Sequence, residues 1–83
     1  MSDLGEIRVV LSGVAEQLGS AYQHAGVAHA RIVDAVAVLD GLGEQHSEPL
    51  VPPELRKAAE ELERGLGLIS GGASVVADID ARL

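Results

Sequence analysis

The chain has 83 residues, no cysteine, and 13 acidic against 6 basic side chains, which gives a formal net charge of -7. This acidic balance argues against DNA or RNA as a partner, because phosphate backbones repel it. Disulfides and thiolate metal sites are excluded, and a lone core of this size rarely supplies more than about 3 to 5 kcal/mol. We therefore expect the chain to gain stability by oligomerisation.

The first eight residues contain neither the basic region nor the apolar stretch of a secretory signal peptide. The most apolar stretch, residues 25–39, is interrupted by His29, Arg31 and Asp34. It is also shorter than the roughly 20 residues that cross a bilayer. We expect no membrane span, and a location in the cytoplasm or export by a route without a conventional signal peptide.

A first long helix is predicted from about residue 3 to residue 42. Asp3 and Glu6 have the spacing of a capping box, which marks a helix start, and Gly41 and Gly43 are suited to cap its end. Between them, apolar residues follow alternating steps of three and four, the heptad spacing of a coiled coil. This seam consists of Leu4, Ile7, Leu11, Val14, Leu18, Ala21, Ala25, Ala28, Ile32, Ala35, Leu39 and Leu42.

A connector over residues 43–52 separates this helix from a second one over about 53–82. Its proline and polar residues interrupt the apolar pattern, so regular structure stops there. Pro53 suits the first turn of a helix, where the missing amide hydrogen costs nothing. The second helix should therefore begin at Pro53.

The second helix carries a seam of its own and several glycines that weaken it. Whether the helix breaks at Gly71-Gly72 stays open at this point. Charged residues in its first half favour ion pairs of Glu60 with Arg64 and of Arg56 with Glu60. The second seam consists of Leu55, Ala59, Leu62, Leu66, Ile69, Ala73 and Val76.

Two helices of this length predict an all-α fold, an antiparallel two-helix hairpin in a single domain. The hairpin buries one stripe per helix, yet the first helix carries valines outside its seam, and these need a further partner. We expect a homodimer that completes a four-helix bundle, or an obligate helical protein partner. The valines in question are Val9, Val10, Val27, Val33, Val36 and Val38.

The middle of the first seam is narrow, since Ala21, Ala25 and Ala28 stand in place of larger residues. Either the helix crosses a second copy closely here, or the alanines match leucines on the second helix. Polar side chains flank these alanines and form either a recognition collar or a set of solvated edge residues. The collar consists of Tyr22, His24, His29 and Arg31.

No arrangement of residues predicts catalysis, a cofactor or a metal site. His24 and His29 are five residues apart, about 140° around a helix, so one helix cannot direct both at the same ion. No serine lies in a nucleophile elbow, and Ser20 forms only an i, i+4 pair with His24. We predict that the chain is not an enzyme, and we expect no cofactor.

An acidic two-helix hairpin without cysteine resembles the small WxG family proteins of type VII secretion systems. Members carry Trp-x-Gly at the turn and Tyr-x-x-x-acid after the second helix, where this chain has Leu42-Gly43 and Val76-x-x-x-Asp80. The resemblance covers the architecture of the whole chain and implies a secretion-related setting. The excess of arginine over lysine, with abundant Gly, Ala and Val, is typical of a high-GC bacterial gene.

The sequence thus favours a non-catalytic module for protein–protein interaction or assembly that associates with itself through the two seams. Two alternatives stay open. The first is a small ligand- or metal-binding bundle that uses the collar around the alanines. The second is an acidic regulator or immunity-type inhibitor of a basic partner.

Overall fold

The computed structural model of the chain describes residues 3–83, which form two α-helices in an antiparallel hairpin. Helix α1 spans Leu4–Gly43 and helix α2 spans Pro53–Arg82, with residues 44–52 between them. The predicted all-α helical hairpin is confirmed. Both helices begin and end within about one residue of their predicted bounds, which is as close as helix ends can be defined.

Helix α1 begins at the predicted cap. Asp3 has an extended backbone, and its carboxylate accepts a hydrogen bond of 2.7 Å from the Glu6 amide. Gly41 and Gly43 were expected to end α1 with a left-handed cap. That prediction is wrong, since no glycine in the described part of the chain has a positive φ. The chain instead leaves the helix through a tight turn, in which the His46 amide donates to the Gly43 carbonyl at 3.0 Å.

Helix α2 continues without a break through Gly71 and Gly72 to Arg82. Pro52 is extended, with φ -62° and ψ 137°, and Pro53 takes the first helical position, as the sequence predicted. The glycines are tolerated because packing against α1 supplies stability that helix propensity alone does not. The sequence left open whether α2 breaks at Gly71-Gly72, and the structure shows that it does not.

The two helices form a single layer. The hairpin measures 66 × 18 × 14 Å and its radius of gyration is 19.1 Å, against about 12 Å for a compact domain of this length. None of residues 3–83 is buried, because each helix has a helical neighbour on only one side. The residues between the helices are half-buried, and the described chain encloses no core of its own.

The half-buried stripe of α1 departs from strict heptad spacing after Ile32. There it passes through Val36 and Gly43, whereas the seam positions Ala35 and Leu42 are exposed. A straight α-helix drifts by about 20° per heptad relative to a repeat of 3.5 residues, so after several heptads the contact moves by one residue. Helix α2 consequently leaves part of the heptad seam uncovered.

The glycines of α2 allow a test of its energetics. A Cβ added at Gly67 would meet no atom within 4 Å, so Gly67→Ala improves helix propensity without a clash. We expect the free energy of unfolding to rise by roughly 1 kcal/mol, measured as a higher melting temperature by circular dichroism. A lower melting temperature would contradict a continuous helix through this segment.

Candidate functional site

The contact between α1 and α2 is formed by side chains of the two seams. Most of the predicted interface residues are half-buried, but Leu4 and Ile7 at the open end of the hairpin, and Ala21 and Ala35 further along α1, are exposed. The half-buried members of the predicted set are Leu11, Val14, Leu18, Ala25, Ala28, Ile32, Leu39, Leu55, Leu62, Leu66, Ile69 and Val76.

One broad side of the hairpin, which we call the groove face, contains two open grooves between the helices, with volumes of about 290 and 370 Å³. The larger groove is lined by Ala15, Leu18, Gly19, Tyr22, Gln23, Ile69, Ser70 and Ala73. The smaller groove is lined by Val33, Val36, Arg56, Ala59 and Glu60. Both grooves are wide open to solvent, so neither encloses a ligand-sized cavity.

Two ion pairs join the helices, one near each end of the hairpin. Arg56 bonds Asp40 at 2.8 Å, and Arg8 lies 4.0 Å from Asp80. All four side chains are about half exposed, between 52% and 53%. Exposed pairs of this kind contribute only about 0.2 to 1 kcal/mol each, so they help to fix the register of the two helices more than they stabilise the fold.

The ion pairs within α2 differ from the ones that the sequence suggested. Arg64 bonds Glu61 at 3.1 Å across an i, i+3 step instead of bonding Glu60, and Arg56 reaches across to α1 instead of pairing along its own helix. Partners three and four residues away are equally close on a helix surface, so spacing alone does not choose between them.

The opposite side of the hairpin, which we call the stripe face, exposes large apolar side chains of α2. Leu68, Val75 and Ile79 follow steps of seven and four and therefore lie along one line of the helix. Their exposed fractions are 70%, 55% and 37%. Leu68 and Val75 were not among the predicted interface residues, although a second run of three- and four-residue steps beside the seam marks them.

Helix α1 contributes to the stripe face as well. Val10 is 64% exposed. It lies about 120° around α1 from Tyr22, so the two residues lie on opposite sides of the contact between the helices. The uncovered seam positions Ala21 and Ala35 lie on the same side as Val10. The stripe face thus combines small residues of α1 with large residues of α2.

The four collar residues do not form one site within a single chain. Tyr22 lines a groove on the groove face, whereas His24 lies about 200° further around α1 and is exposed. The His24 Nδ1 atom is 3.4 Å from the Ser20 hydroxyl oxygen, a long distance for such a hydrogen bond. His29 is half-buried and Arg31 is exposed.

Within residues 3–83, no group of three or more His, Asp or Glu side chains is arranged to hold a metal ion. Neither described helix combines the length and the apolar character needed to cross a membrane. Comparisons with protein-family models, with curated proteins and with solved structures found no match to this chain.

Substitution of Ile32 tests the helix contact. Ile32→Asp places a carboxylate in the half-buried stripe between the helices, where it loses apolar contact and part of its hydration. We expect the variant to lower the free energy of unfolding by more than about 2 kcal/mol, measured by denaturant unfolding followed by circular dichroism.

The matched control is Val27→Asp on the same helix, because Val27 is 50% exposed and lies away from the contact with α2. This variant should unfold within about 0.5 kcal/mol of the unmodified chain. Equal effects of the two substitutions would mean that Ile32 is not part of the contact that holds the hairpin together.

Proposed function

We propose that this chain is a non-catalytic helical-hairpin module for protein–protein interaction, and that it associates with itself as a homodimer. The observation that carries the proposal is the absence of any buried residue in the described chain, 3–83. A stable domain normally has at least two layers of secondary structure packed around one core. This hairpin is one such layer, and a second copy supplies the other.

The exposed area supports a dimer quantitatively. The chain exposes 6252 Å², whereas a compact monomer of its mass is expected to expose about 4,700 Å². The excess is about 1,500 Å² per chain, so two copies that cover it form an interface of about 3,000 Å² in total, within the range of obligate homodimers. A four-helix bundle is the simplest arrangement that buries this area, since two hairpins then share one core.

The role of such a module is assembly. Its half-buried contact is made of aliphatic side chains, and its exposed apolar residues are available to another helical surface. The resemblance in architecture to the helical hairpins of type VII secretion systems makes a secretion-related setting part of the proposal, as a prediction.

Light scattering on a gel-filtration peak tests self-association. We expect a mass of twice 8.6 kDa at micromolar concentration. We also expect a melting temperature that rises with protein concentration, because only the folded state associates. A helical monomer whose melting temperature does not depend on concentration would overturn the proposal.

A further inference from the structure

We propose that the second copy of the chain docks on the stripe face, so that Leu68, Val75 and Ile79 become the core of the dimer and the groove face stays in water. This inference rests on the proposed self-association and assigns it to one of two available surfaces. Three observations support the stripe face: exposed aliphatic side chains, the uncovered seam, and the glycines of α2.

The aliphatic side chains of α2 distinguish the two faces. Leu68 and Val75 are the most exposed large apolar residues of that helix, at 70% and 55%. On the groove face the same helix presents the polar Arg56, Glu60 and Ser70. The apolar residues beside them are Ala59, Ala73 and Ile69, all of which are already half-buried. Burial of an exposed Leu or Val side chain is favourable in proportion to the apolar area removed from water, so α2 gains more when its stripe side is covered than when its groove side is.

The uncovered part of the α1 seam lies on the same side. Ala21 and Ala35 are exposed, and Ala28, midway between them, is half-buried at the edge of the helix contact. These three small residues repeat every seven positions and therefore lie along one line of α1. A line of small residues beside a row of large ones can match a copy of itself, which is the requirement for an interface with two-fold symmetry.

Two glycines interrupt the row of large residues on α2. Gly65 and Gly72 continue the same three- and four-residue steps as Leu68 and Val75, and a Cβ at either glycine would meet no atom within 4 Å. Each destabilises the helix relative to alanine, and no neighbouring atom of the hairpin requires its small size. Glycine at these two positions allows the backbone of a second helix to come near.

Neighbouring residues on α2 provide a matched pair of variants. Val75→Glu places a carboxylate in the proposed interface, whereas Ser74→Glu places the same charge about 100° further around the helix. By light scattering and sedimentation, we expect Val75→Glu to weaken dimerisation by about tenfold or more and Ser74→Glu to leave the dimer intact. A dimer equally stable in both variants would overturn the assignment to the stripe face.

A second measurement remains decisive if the Val75→Glu chain does not fold. The natural sequence has no cysteine, so Val75→Cys and Ser74→Cys each introduce a single thiol. If the stripe face is covered, the Val75→Cys thiol is alkylated about tenfold or more slowly than the Ser74→Cys thiol, because its alkylation requires opening of the dimer. Equal alkylation rates in a protein that is dimeric by light scattering would exclude docking on this face.

The outcomes separate the two proposals. A monomeric unmodified chain overturns self-association, and with it the docking face. A dimeric chain with an unprotected Val75→Cys thiol retains self-association and overturns only the stripe face. Protection of the Ser74→Cys thiol alone would assign the interface to the groove side instead.

Discussion

The contact between α1 and α2 is confined to one half-buried stripe on each helix, and the other properties of the hairpin depend on it. Each helix has a single helical neighbour, so its seam residues are half-buried and none of residues 3–83 is fully enclosed. Apolar area removed from water contributes about 25 cal/mol per Å², and one layer removes little of it. The result is a pair of well-formed helices around an incomplete core.

Residue size determines how the two helices meet. The chain has no Phe or Trp and only one Tyr, so its apolar side chains are short and the helices can lie close together. Short side chains do not reach around a neighbouring helix, and the flanks of the contact therefore stay open. Tyr22, the single aromatic residue, lines one of these open flanks and is 46% exposed.

The mismatch between heptad spacing and the straight helix gives the hairpin two different faces. Because the contact drifts around α1, Val36 is half-buried whereas Ala35 is exposed. The two grooves lie on one face, and the exposed Leu68, Val75 and Ile79 of α2 lie on the other. The two faces of the hairpin therefore differ in shape and in the size of their exposed apolar side chains.

Periodicity together with capping and proline signals was sufficient to predict the two helices, their order and their bounds. Apolar steps of three and four specify a helix, the Asp3 cap and Pro53 mark the helix starts, and the prolines end the pattern between them. The cap, the Pro53 start and the hairpin are all confirmed. These features depend on residues close together in the chain, which is why the sequence reveals them.

The tertiary structure decided which residues around each helix meet the other one. Three features depend on how the two long helices lie against each other. Val36 is half-buried instead of Ala35, Arg56 pairs with Asp40, and α2 is unbroken through Gly71-Gly72. Neighbouring positions on an isolated helix are equally exposed to water, and they come to differ only when a second helix packs against one of them. The sequence therefore determined the helices and their seams, and the packing determined the faces of the hairpin.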